Sequence, residues 1–283
     1  IIAEKYAPTF HADTRLMGWS MTKTITNAIV AVLVKQGKLK VEDPAPVAEW
    51  SKDDRSKITL NNLMQASSGL AWQEVYAGAS TATNMLFRKK DAGGFAAQSE
   101  VEFAPDTKWY YSSGTTNIIS RMTKQTIGVA DYYAFAYQEI FHKIGAYSMT
   151  IEPDPSGTFV GSSFSYATAR DWARFGLLFL KDGAWNNERI FPEGWVKYST
   201  TPAVAAPQGE YGAQIWLNAG NKNNPNDKRF PDVPNDMYLM DGFEGQSVVM
   251  VPSKEVVIVR LGLSPKREFD TNAFVRDVLN ALE

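Results

Sequence analysis

Past Pro202 the chain changes its hydrophobic period, and that change constrains the fold more than any other feature of the sequence. Before it, apolar residues recur at helical spacing. Met21, Ile25, Ala28, Ile29, Val32 and Leu33 form one such pattern, which ends at Gly37. Residues 59–70 (closed by Gly69), 115–128, 130–144 and 165–181 read as further helices. After Pro202, the runs YGAQIWLN, DMYLM, QSVVMV and EVVIVRL are rich in β-branched and aromatic residues, with turn signals between them. They predict an antiparallel meander. FDTNAFVRDVLNAL then closes the chain as an amphipathic helix with Phe274, Val275, Val278, Leu279 and Leu282 on one side. At the other end, IIAEKYA reads as a strand. The layout predicts an α+β fold in which an antiparallel sheet joins both chain ends, flanked by N- and C-terminal helices, with a helical lobe inserted. Residues 1–60 and 205–283 are expected to form the sheet lobe and 61–204 a mainly helical lobe of one catalytic domain spanning 1–283.

Size permits this: 283 residues, 44% of them hydrophobic, can bury a large core. The net charge of −2 and the absence of any basic block argue against nucleic acid or anionic membrane as a partner. The longest apolar run, Ala28 to Val34, is too short to span a bilayer. There is no cysteine, which excludes disulfides, thiolate metal sites and a cysteine nucleophile. That fits an exported bacterial protein and leaves a periplasmic or a cytoplasmic location open. No signal peptide is present, and the chain starts at Ile1 rather than Met, so an N-terminal piece is expected to be missing.

One short motif carries chemistry. Ser20 and Lys23 form the chain's single Ser-x-x-Lys, set between an apolar strand and a strongly apolar helix. At i and i+3 the two side chains share one helix face, so the amine reaches the hydroxyl. Serine is a poor nucleophile until a neighbouring base takes its proton. Lysine serves when burial lowers its pKa, and a helix N-terminus offers N–H groups to an oxyanion. The plain alternative is an N-cap serine beside a solvated lysine. Rival catalysts are poorly supplied. The two histidines, His11 and His142, lie in a polar loop and in a helical run, and there is no Gly-x-Ser-x-Gly elbow. No zinc motif, phosphate loop or dinucleotide fingerprint occurs.

WSMTKTITNAIVAVLVKQGKL, ITLNNLMQASSGLAW, WYYSSGTTNIISRMT and SSFSYATARDWARFGLLFLKDG, in that order, resemble the serine β-lactamase and penicillin-binding protein superfamily. The likeness is to its class C-like branch of esterases, peptidases and 6-aminohexanoate-dimer hydrolases, and it covers nearly the whole chain. It implies the β-lactamase/transpeptidase-like fold, with a partner for the first strand in the absent N-terminal piece. The family's Tyr-x-Asn falls on Tyr111, Ser112 and Ser113. The tyrosine, which shuttles protons in the family, matches. Ser113 stands where an asparagine contacts the substrate amide. No Lys-Thr-Gly is present. Gly242, Phe243, Glu244, Gly245 and Gln246 resemble instead the Gly-x-x-Gly-Gln of the amide-hydrolase branch, and glycine there permits close approach of substrate.

By that resemblance, Ser20, Lys23 and Tyr111 are catalytic, and the backbone N–H groups of Ser20 and Phe243 form the oxyanion hole. Ser113, Gly242, Tyr76 and Gln246 contact substrate. Trp19, Trp72, Trp109 and Trp216 are candidates to line the cleft. The implied activity is acyl-enzyme hydrolysis of a small-molecule amide, ester or short peptide, with no metal or cofactor, by a monomer or homodimer. The alternatives are a β-lactamase or D-amino peptidase, and a penicillin- or peptide-binding module with little turnover. Asp241 and Glu244 replace the family's cation, which predicts poor β-lactam turnover unless Arg88 or Arg229 supplies the missing charge.

Overall fold

The structure, a computed structural model, describes residues 1–264 and 268–282. In chain order its elements are β1 (Leu16–Met17), α1 (Thr22–Lys35), α2 (Leu60–Met64), α3 (Thr81–Arg88), α4 (Ala92–Ala97), α5 (Ser113–Ile127), α6 (Tyr132–Ala136), β2 (Thr150–Ile151) and β3 (Ser165–Ala167). They continue with α7 (Ala169–Leu180), β4 (Ala184–Trp185), β5 (Glu188–Arg189), α8 (Trp195–Ser199), β6 (Trp216–Leu217), β7 (Tyr238–Asp241), β8 (Ser247–Val251), β9 (Val256–Arg260) and α9 (Thr271–Asn280).

The meander forms a four-stranded antiparallel sheet in the order β6-β7-β8-β9. Its register sets Leu239 opposite Val249 and Val249 opposite Ile258, while Met240 faces Val248 and Val248 faces Val259. Side chains alternate across a strand, so these two rows point to opposite faces. Leu239, Val249, Val251 and Ile258 pack with Val275 and Leu279 of α9 in one apolar cluster. Met240, Val248 and Met250 join the main core with α1 and α7. The architecture is thus α+β, with helices on both faces of an antiparallel sheet. No helix among the described residues is long and apolar enough to cross a membrane.

Helix α7 comes unusually near the sheet. A Cβ on Gly176 would lie 2.7 Å from Val248 Cγ1 and 2.8 Å from Val257 Cγ1. Gly176→Val is therefore expected to cost about 2 kcal/mol by overpacking. Urea unfolding measures this, and an unchanged midpoint would mean that the helix does not pack on the strands there.

Several sequence expectations need correction. Residues 1–7 form no strand and Ile1 and Ile2 are exposed, so the four-stranded sheet draws only on the C-terminal part of the chain. A strand needs a partner for its backbone groups, and no described segment pairs with IIAEKYA. The first strand is instead β1, in a small sheet ordered β1-β3-β2. The run 165–181 divides into β3 and α7 at Thr168, whose hydroxyl caps α7 by accepting from the Asp171 N–H. The run 130–144 divides too, as α6 passes into a π-helical turn at Tyr137–Phe141. Residues 59–70 are helical only over α2, and Leu282 lies beyond the end of α9 and is exposed. The short helices α3, α4 and α8 carry too little periodicity to be read from sequence.

Candidate active site

Three segments distant in sequence meet at the start of α1. The first is the turn into that helix. Gly18 N–H donates to Ser165 O (2.7 Å), which ties the end of β1 to β3. Trp19 then takes a left-handed conformation with φ at 47°, an unfavourable geometry for a bulky residue. The Thr22 hydroxyl donating to Trp19 O at 2.6 Å helps hold it. Ser20 follows in a short 3-10 turn, Trp19–Met21, that feeds α1. Its hydroxyl caps neither helix. The alternative of an N-cap serine is therefore not met, and the oxygen is left to other partners.

Lys23 is 2% exposed. Its Nζ lies 3.1 Å from Ser20 Oγ, 2.9 Å from Ser113 Oγ and 3.0 Å from Ser162 O. The ammonium also sits 4.7 Å from the centre of the Tyr111 ring. Burial pushes its pKa down to about 8, and the Glu74 carboxylate pulls the other way. The Ser162 carbonyl is held in place because Asn117 Nδ2 donates to Ser162 Oγ (3.0 Å) and Ser162 N–H donates to Asn117 Oδ1 (3.2 Å).

The second segment leads into α5. Tyr111 packs on Trp216 (5.0 Å between ring centres) and on Tyr211 (5.7 Å). Burial holds its hydroxyl well above the usual phenol range, with Tyr211 and Glu74 acting in the same direction. Tyr111 is thus a neutral phenol wherever Lys23 begins to lose its proton. Ser113, fully buried, opens α5 just after the N-cap Ser112.

The third segment is the turn after β7. A Cβ on Gly242 would fall 2.4 Å from Gly18 O, so only glycine lets this turn abut the turn that carries Ser20. Phe243 is 41% exposed, and its ring meets Trp19 (5.6 Å) and Tyr76 (5.3 Å). Trp19 also meets Phe164 at 6.4 Å, and Phe164 meets the exposed Phe87 at 6.1 Å. An aromatic wall therefore runs outward from beside the serine. Gln246 stands apart from this wall. Its amide nitrogen donates to Gly262 O (2.6 Å) and its oxygen accepts from Gly262 N–H (2.9 Å), so it braces the hairpin. The two arginines differ. Arg88 reaches Asn84 on α3, whereas Arg229 pairs with Asp241 at 2.6 Å and stacks over Trp216 at 4.9 Å. Asp241 is thus not the bare acid that the sequence suggested.

Sequence reasoning missed Glu74. Its carboxylate accepts from Trp72 Nε1 (2.6 Å), Tyr76 hydroxyl (2.5 Å), Ser113 N–H (2.8 Å) and Ser113 hydroxyl (2.5 Å). Of the cleft tryptophans, Trp19, Trp72 and Trp216 touch residues of this cluster, and Trp109 packs behind it on Tyr211 and Trp216. Ser20, Lys23, Tyr111, Ser113 and Tyr76 are therefore brought together, with Gly242 and Phe243 alongside.

The chain is 23% identical over 295 residues to the 6-aminohexanoate-dimer hydrolase of Paenarthrobacter ureafaciens, covering 94% of this chain and 70% of that one. A Bacillus anthracis structure provisionally assigned as a 6-aminohexanoate-dimer hydrolase superposes with a TM-score of 0.76 at 20% identity, over 99% of this chain and 76% of that one. A penicillin binding protein from Bacillus halodurans gives a TM-score of 0.71 at 15% identity, over 96% and 88%. Both have the β-lactamase-like fold described above. The beta-lactamase family model matches residues 2–279, and the chain belongs to that family.

Proposed function

We propose that this protein is a serine hydrolase that cleaves an amide or ester bond of a small molecule through an acyl-enzyme on Ser20. The observation that carries the reading is the buried Lys23 amine, 3.1 Å from Ser20 Oγ and able to lose its proton at about pH 8. Ser20 attacks the carbonyl carbon while its proton passes to Lys23 Nζ. Negative charge gathers on the carbonyl oxygen, which the backbone N–H groups of Ser20 and Phe243 receive, aided by the positive end of α1. Tyr111, a neutral phenol, donates a proton to the departing amine or alcohol and takes back the one held by the Lys23 ammonium beside it. Water then attacks the acyl ester, and Ser20 regains its proton as the acid leaves.

The aromatic wall of Trp19, Phe243, Tyr76 and Phe164 favours an uncharged, apolar acyl chain. A substrate carboxylate entering beside β7 must compete with Asp241 for Arg229, which disfavours β-lactams. The likeness to a 6-aminohexanoate-dimer hydrolase supports linear amides as substrates.

The test compares kcat/KM for p-nitrophenyl butyrate with that for a chromogenic cephalosporin in one buffer. The ester is expected to be preferred, with a rate that climbs with pH, passes its midpoint at about pH 8, where the base is half deprotonated, and levels off above that. Preference for the cephalosporin would sink the substrate reading. Failure of a fluorophosphonate to label the protein would sink the hydrolase itself, leaving the binding-module reading.

A further inference from the structure

Glu74 is the one carboxylate in the cluster, and it stands two bonds of hydrogen-bonding away from the base. A carboxylate only accepts. The Ser113 hydroxyl therefore spends its proton on Glu74 Oε1. Having done so, Ser113 Oγ can only accept from Lys23, 2.9 Å away. The Ser162 carbonyl, 3.0 Å from the same amine, can also only accept. A neutral lysine has two N–H bonds and one lone pair, and both N–H bonds are now committed. The lone pair is left for the third partner, Ser20 Oγ. That is the orientation in which the amine can take the serine proton.

We propose that Glu74 is a positioning residue for the base: by holding the Ser113 hydroxyl proton, it aims the lone pair of neutral Lys23 at Ser20. Without the carboxylate, Ser113 is free to donate to Lys23 instead, and the lone pair turns away from the nucleophile. Trp72 and Tyr76 donate to the same carboxylate and keep it aligned on Ser113. The inference rests on the hydrolase reading above.

The two roles of Glu74, geometry and charge, leave separate marks. The titratable groups facing Lys23 are Glu74 and Tyr76 from the loop before α3 and Tyr111 from the segment before α5, with Tyr211 behind Tyr111. Of these, Glu74 favours the charged amine. In Glu74→Gln the rising limb of the kcat/KM profile is therefore expected to move to lower pH. Its plateau is expected to fall roughly a hundredfold through misorientation of the base.

The experiment measures that profile with p-nitrophenyl butyrate, alongside fluorophosphonate labelling, for wild type, Glu74→Gln, Ser113→Ala and the double variant. Because Glu74 acts through Ser113, the double variant should be no slower than Ser113→Ala alone. A wild-type plateau and limb in Glu74→Gln would overturn the inference, as would losses that multiply in the double variant. If Glu74→Gln does not fold, Ser113→Ala decides alone, since a full plateau there also overturns it. Absence of labelling in the wild type would overturn the hydrolase reading first, and is distinguished by that.

Discussion

Ser20→Ala is expected to lower turnover by at least about 10⁴-fold while leaving the fold intact. The loss is large because the hydroxyl is the atom that bonds to substrate, and no neighbour can replace it. Ser113 is fully buried and its proton is held by Glu74. Ser112 is committed to accepting the Thr115 N–H as the cap of α5. Ser67 donates to Asp106 at 2.7 Å, away from Lys23. The stability cost should be small, since the Ser20 side chain caps no helix. Two measurements check this: hydrolysis of p-nitrophenyl butyrate and covalent labelling followed by peptide mapping. Residual labelling of the variant at another serine would show that the nucleophile is misassigned.

Lys23→Met should lower kcat/KM by about 10²–10⁴-fold, the usual loss when a general base is removed. Stability should respond in a way that marks the residue as buried and functional. In the fold, burial holds the Lys23 pKa at about 8, below its ordinary value of 10.5. Between those two values the unfolded chain holds a proton that the folded chain has released. Wild-type stability should therefore gain about 3 kcal/mol as pH rises through that window. Below pH 8 the gain is absent, because burying the charged amine is costly. The methionine variant fills the same space without a charge, so it should lack this rise and be at least as stable as wild type at neutral pH. Urea unfolding in neutral and in mildly alkaline buffer tests both points. A variant that keeps activity would make Lys23 a structural residue.

The parts of this molecule that were legible in the sequence are those with a repeating or local signal. The period-two runs of β7, β8 and β9 and the long apolar run of α1 could be read directly, because burial of one face imposes that spacing. Ser20 and Lys23 could be paired because three residues of helix bring them together. Glu74 could not. It lies in a loop with no periodicity, 39 residues before the Ser113 it binds, and a glutamate between two aromatic residues looks like any solvated loop acid. The Ser162 carbonyl is a backbone atom and leaves no trace in residue type. The extent of IIAEKYA was misread for a related reason, since alternation shows what a segment can pair as and says nothing of whether a neighbour is there.

Helix α1 is buried from Thr22 to Leu33 on every side, and this has a consequence for how the site fails under stress. Its amide hydrogens have no route to water short of a collective opening of the core. The nucleophile and its base are thus anchored to a helix whose amides are expected to be among the slowest to exchange in the molecule. The rings of Phe243 and Phe87 are exposed and can fluctuate on their own. Mild denaturation should therefore blur substrate choice before it removes the capacity to form an acyl-enzyme.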